Sequence, residues 1–176
     1  MTHPYWPLFD LRLSTGGISL RPVTETDLVA LADLRPADAE TDPRLPTFGV
    51  ADPHLAAGTA TFQAYWSSLG PGWRGRGVGR AMRLCVLALA FDGLGAQAAQ
   101  TSAWPDNAAS LGVSRSLGYA DNGVVRHHAR GRVADMPRMR LTRQVFAERH
   151  HRHGVRITGL DRCRHLFGVP DDVTGG

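Results

Sequence analysis

The sequence predicts a mixed α/β fold. Short β-compatible segments at 18–20, 124–129, 136–141 and 155–158 are interleaved with stretches of helical periodicity. A chain of 176 residues that is 43% apolar and 20% charged can bury one substantial core. The expected organisation is therefore a single domain over 1–176, with 169–176 as a frayed tail, since Pro170 and two terminal glycines give that end little to pack.

Ile18 and Leu20 alternate with Ser19 and Arg21 ahead of Pro22, which reads as a first strand closed by proline. Thr24 and Asp27 then form an acidic version of a capping box for a helix with Leu28, Leu31 and Leu34 on one face. Prolines at 36, 43, 46 and 53 make 35–58 a long loop. Phe62, Tyr65, Trp66 and Leu69 share a face of a second helix over 59–69, which reads as core. Residues 81–91 carry no breaker and are apolar on nearly all sides, so a buried helix is expected there, with Arg80 and Arg83 at its start and Gly93 and Gly95 at its end. By propensity the Ala/Gln stretch 96–103 is helical, and a strand there would need tertiary contacts to override it. Pro105-Asp106-Asn107 starts a further helix that Gly118 stops. Segments 124–129 and 136–141 read as a hairpin, Thr142 caps a short helix to Arg149, 155–158 is a last strand, and Leu160, Cys163, Leu166 and Phe167 form a final apolar stripe.

Composition excludes several functions. The longest strongly apolar run, 84–91, is eight residues, far short of a bilayer span, and the first ten residues lack a signal-peptide pattern. A cytoplasmic protein with no membrane partner is the expectation, and two cysteines, Cys85 and Cys163, suit a reducing compartment. The chain contains no lysine, which rules out a Walker A loop, a pyridoxal Schiff base and any lysine nucleophile. Charge is uneven: residues 1–73 carry a net −4 and residues 74–176 a net +8, so the second part should attract anions. Arginines and aromatics do not interleave as a stacking platform for nucleic acid would require, which argues against that partner.

The chemistry is concentrated at Trp73-Arg74-Gly75-Arg76-Gly77-Val78-Gly79-Arg80. Glycines at alternate positions leave backbone N–H groups unobstructed ahead of a helix whose N-terminus carries partial positive charge, which is an anion nest. Arg74, Arg76 and Arg80 add full charges suited to phosphate. The dinucleotide fingerprint is not met, because Arg80 stands where its third glycine belongs.

Arg74-x-x-Gly77-x-Gly79 resembles the (Gln/Arg)-x-x-Gly-x-(Gly/Ala) loop with which the GNAT acyltransferase superfamily grips the pyrophosphate of acetyl-CoA. Leu20-Arg21-Pro22 is similar to that superfamily's first strand, and Asp106-Asn107-Ala108-Ala109-Ser110 through Leu117-Gly118-Tyr119 resembles its segment after the fifth strand, especially in the branch of the RimJ/RimL protein N-acetyltransferases. The resemblance implies a GNAT-like sheet flanked by helices. It also implies an N-acyltransferase, with acetyl-CoA as co-substrate and an amine of a protein N-terminus or small molecule as acceptor. By position, Gly75, Arg76, Gly77, Val78, Gly79 and Arg80, with Arg74, would hold the pyrophosphate and Asn107 the pantetheine arm. Ser114, four residues before Gly118, stands where many relatives carry a tyrosine that protonates the thiolate, and Ser110 is the other hydroxyl nearby. The general base is left open among His127, His128, Asp106 and Asp121.

One departure stands out. Members of that family place an antiparallel meander before the phosphate loop, about thirty residues at typical strand lengths, whereas only 70–74 separate the expected helix 59–69 from Gly75. The expectation is a shortened GNAT-like sheet without that central meander, impaired in acyl activation, with an open edge that a second copy would cover in a homodimer. The alternative is a non-catalytic CoA- or phosphate-binding remnant. His150, His151, His153, Cys163 and His165 match no standard zinc spacing, so no metal is expected and the cluster reads as a solvated basic helix end.

Overall fold

The computed structural model describes residues 5–24, 26–27, 75–129 and 132–169. Apart from its first turn, the helix expected over 24–34 lies outside them, as do the loop 35–58, the helix 59–69, the junction 70–74 and the tail 170–176. Two compact units divide the chain. One is built from Met1–Pro22, Gly77–Val125 and Asp135–Gly176, the other from Val23–Arg76 and Arg126–Ala134. In the second unit the expected cap is present: the Asp27 carboxylate accepts from both the N–H and the hydroxyl of Thr24, each at 2.7 Å.

The first unit opens with a 3₁₀ turn, Pro7–Asp10, followed by β1 (Arg12–Thr15) and β2 (Ile18–Leu20). Thr15 pairs with Ile18, so Gly16-Gly17 is a two-residue hairpin loop, and both glycines have positive φ as such a loop demands. The alternation argument located β2 but not β1; the Gly-Gly dipeptide was the available signal. On its other side β1 pairs antiparallel with β6 (Arg156–Thr158), giving a sheet of order β2-β1-β6.

Helix α1 (Val78–Ala88) continues through a π turn, Leu89–Gly93. It is less buried than expected: Leu84, Cys85, Leu87, Ala88 and Phe91 are inside, but Val86 is 53% exposed. Leu84, Leu87, Ala88 and Phe91 enter a core shared with Leu111, Leu117, Tyr119, Met139, Leu141 and Phe146. Cys85 enters a second cluster with Leu11, Leu13, Leu160 and Cys163.

The segment after α1 corrects the helical expectation over 96–103, because Ala98–Ser102 forms strand β3. Its neighbour β5 (Arg132–Thr142) supplies the tertiary context, pairing Ala99 with Leu141 and Thr101 with Met139. Backbone hydrogen bonds and burial outweigh an alanine preference worth less than about 1 kcal/mol per residue. With β4 (Ala120–Ala129) the sheet order is β3-β5-β4, and β4 and β5 are the expected hairpin, longer at both ends than the alternation indicated. Between β3 and β4 lies α2 (Ala108–Ser116), and after β5 comes α3 (Arg143–His150), capped as expected by the Thr142 hydroxyl, which accepts from Val145 N–H.

A 3₁₀ turn, Arg164–Phe167, follows β6. The connection into it passes against the start of the chain at Gly159, where a Cβ would sit 2.3 Å from the Asp10 carbonyl oxygen and where φ is +77°. Backbone cannot yield as a flexible side chain can. Gly159→Ala should therefore destabilise the protein by about 2 kcal/mol or more, read as a lowered midpoint in urea unfolding.

Burial pushes the thiols of Cys85 and Cys163 above the ordinary value of 9.0, with Asp10 raising Cys163 further. Desolvation likewise raises the Tyr119 phenol above 10.0. Groups whose folded pKa is raised hold their protons longer folded than unfolded, so their contribution is complete below about pH 9 and is lost as pH climbs beyond it. Thermal midpoints measured from pH 7 to 11 should fall on the alkaline side, and Cys85→Ala/Cys163→Ala should flatten the first part of that fall.

Candidate functional site

The loop before α1 has the backbone that its glycines suggest. Gly77 is the N-cap of α1 in the left-handed region, φ +79°, and makes no side-chain cap. The first helical hydrogen bond runs from Ala81 N–H to Gly77 O, 2.9 Å. The N–H groups of Val78, Gly79 and Arg80 therefore have no acceptor within the helix, and no acidic residue occupies its first turn. Instead the first turn carries exposed Arg80, a cation at the positive end of a helix dipole. Gly75, left-handed at φ +76°, and Arg76 belong to the second unit, and Arg74 lies outside the described residues.

Gly79 is informative because the fold does not require it. Its φ is ordinary, and a Cβ there would meet nothing within 4 Å. Glycine in a helix costs about 0.5–1 kcal/mol relative to alanine. A small residue kept at that cost, beside uncapped N–H groups and arginine, is consistent with close approach of a ligand to the backbone.

Asn107 is the N-cap of α2, its side-chain oxygen accepting from Ser110 N–H at 3.0 Å. Ser114 is buried, 1% exposed, and its hydroxyl donates to the Ser110 carbonyl at 3.0 Å. Arg83, one turn into α1, donates to the Ser114 hydroxyl and, at 3.4 Å, to that of Ser110. The two hydroxyls singled out in the sequence are thus brought together by an arginine to which the sequence reading gave no role. Tyr119, buried beyond the end of α2, completes the group: desolvation raises its phenol and the Arg83 charge partly offsets the rise. The available signal for Arg83 was its place three residues after Arg80 in an otherwise apolar helix.

The candidate bases are dispersed. His127 and His128 are exposed on β4, Asp106 is exposed before α2, and Asp121 forms a surface ion pair with Arg115 at 3.8 Å. The histidines after α3 do more than border solvent. His150 Nε2 donates to Leu117 O at 3.0 Å, placing an imidazole at the C-terminus of α2. His153 accepts from Val155 N–H on Nδ1 at 2.9 Å, so Nε2 carries the proton toward Asp92, 2.8 Å away. Both rings lie near Phe146, at 5.3 and 5.8 Å between centroids. With each nitrogen of His153 occupied, this Asp-His pair is a structural brace. Among the described residues no group of three His, Cys, Asp or Glu side chains could hold a metal ion, and no helix is long and apolar enough to cross a membrane.

Comparison with known structures bears on this arrangement. RimJ from Mycobacterium smegmatis in complex with CoA-disulfide superposes with a TM-score of 0.59 at 19% identity, over 86% of this chain and 97% of that one. A GCN5-related N-acetyltransferase from Brucella melitensis gives 0.56 at 13% identity, over 78% and 84%. The fold is GNAT-like. Mutant forms of the spermidine/spermine N-acetyltransferase SpeG from Vibrio cholerae match over 46% of this chain and 48% of that one, at 20% identity and a TM-score of 0.42. The present chain thus spans about half the length of SpeG. No family model matches the sequence.

Because position 79 tolerates a side chain conformationally, Gly79→Leu separates folding from binding. The variant should be as stable as the wild type or gain about 0.5 kcal/mol, yet bind CoA at least tenfold more weakly, about 1.4 kcal/mol, in calorimetric titrations.

Proposed function

We propose that this protein is an acyl-CoA-dependent N-acyltransferase of the RimJ/RimL-like kind, using acetyl-CoA and an amine of a protein N-terminus or small molecule. The observation that carries this reading is the left-handed Gly77 cap opening onto unacquitted N–H groups of α1, with glycine at 79 and arginine at 80. Such a terminus suits a pyrophosphate, with hydrogen bonds and dipole acting together. The resemblance over 74–119 and the GNAT-like fold support the same ligand. RimJ from M. smegmatis was solved with CoA-disulfide.

In this reading the amine attacks the thioester carbonyl, a base removes its proton, and the thiolate leaves and is protonated. Val78, Gly79 and Arg80 N–H groups would hold the pyrophosphate, with Arg80 adding charge and Arg74, Gly75 and Arg76 extending the grip. Asn107 is assigned to the pantetheine arm, through the amide hydrogens that its capping role leaves unused. Ser110 and Ser114 are the proposed proton donors. Of the two, Ser114 already gives its proton to the Ser110 carbonyl and accepts from Arg83, so using it as an acid requires breaking the first bond. That geometry favours CoA binding with slow turnover, and it gives weight to the second reading, a CoA-binding protein acting through a partner. A cytoplasmic location and a homodimer belong to the same proposal.

The expected result is calorimetric binding of acetyl-CoA together with turnover on a panel of amines well below about 1 per second. Turnover at or above that rate by the purified chain would remove the second reading, and absence of any CoA binding would remove both.

A further inference from the structure

We infer that Arg83 forms a second anion subsite in the first unit, which takes the 3′-phosphate of CoA; this rests on the CoA reading above. The starting point is an unbalanced charge. Arg83 is half-buried, its hydrogen-bond partners are two neutral hydroxyls, and among the described residues no carboxylate forms an ion pair with it. Partly buried charges are ordinarily paired, because desolvation without a counter-ion is costly.

The surroundings add to the imbalance. Ser110 lies in the first turn of α2, so the guanidinium is held at the positive end of that helix, and neither α1 nor α2 carries an acidic residue in its first turn. Two helix dipoles and one full positive charge are therefore directed into the same region with no negative group to offset them. A dianionic phosphomonoester would relieve all three. It would accept from the guanidinium N–H groups not engaged by Ser114 and from the Ser110 hydroxyl, whose contact with Arg83 is long at 3.4 Å.

Position along the helix favours this phosphate over the pyrophosphate itself. Arg83 stands five residues beyond Val78, a rise of about 7.5 Å, and side chains on a helix lean toward its N-terminus. The guanidinium thus lies beside the first turns of α1, displaced from the N–H groups at its tip. In CoA a single ribose separates the 3′-phosphate from the pyrophosphate, so one ligand can reach both places.

Calorimetric titration of the full chain with CoA and with 3′-dephospho-CoA tests the assignment. The wild type should prefer CoA by about tenfold or more, equivalent to 1.4 kcal/mol. Arg83→Gln should bring CoA down to the level of 3′-dephospho-CoA while leaving the latter unchanged, and Arg83→Lys should keep part of the preference. Gly79→Leu should weaken both ligands by one common factor. An unchanged preference in Arg83→Gln, or equal weakening of both ligands by it, would overturn the subsite and leave Arg83 as a clamp between α1 and α2. A wild type that binds both ligands equally overturns the subsite but keeps the CoA reading, whereas one that binds neither overturns both. The wild-type chain supplies a readout independent of folding in the variants: CoA, but not 3′-dephospho-CoA, should move the Tyr119 phenol titration upward by neutralising Arg83, with Tyr119→Phe identifying the signal. No such difference would also count against the subsite.

Discussion

Burial of α1 on two sides is the constraint on which the rest of the first unit depends. Leu84, Leu87, Ala88 and Phe91 belong to one apolar cluster and Cys85 to the other, so the helix cannot rotate without exposing one set. Full burial of such side chains is worth about 1.5–3 kcal/mol each. That fixes the azimuth of Arg83 toward α2 and leaves the N-terminus of the helix, with its uncapped N–H groups, at the surface. The exposed Val86 marks the side that neither cluster claims.

The polar contacts of α2 are arranged at both of its ends. At the start, Asn107 caps and Arg83 holds Ser110 and Ser114. At the finish, His150 donates to the Leu117 carbonyl, and the Arg149 side chain lies so close over Gly118 that a Cβ there would meet its Cδ at 2.9 Å. Basic groups at a helix C-terminus are favourable, whereas a cation at the N-terminus is not. The second end is therefore balanced within the protein and the first is not, which is the electrostatic asymmetry expected where an anionic ligand belongs.

Chemical groups in the protein divide accordingly between bracing and binding. His153, tied at both nitrogens between Val155 and Asp92, and His150, stacked on Phe146, secure α3 and the following turn. The two buried cysteines behave as small apolar side chains with raised pKa values. Donors without internal partners collect at the start of α1 and around Arg83.

Much of the local structure was legible in the sequence because its signals are local. Thr24 with Asp27, Asn107 with Ser110, and Thr142 with Val145 are caps within three residues of their partners, and the glycine pattern at 75–79 states its own backbone geometry. Strand β3 was not legible: the alanines of 98–102 prefer a helix, and only pairing with β5, some forty residues later, overrides that preference. Helical periodicity likewise could not show that Val86 would face outward, since an almost uniformly apolar helix has no face of its own until its neighbours choose one. The sequence by itself determined the caps, the turns and the anion-seeking loop, because each depends on residues adjacent in the chain. Tertiary structure alone decided that Arg83 would meet Ser110 and Ser114, twenty-seven and thirty-one residues away, because that contact exists only once two helices are packed against one core.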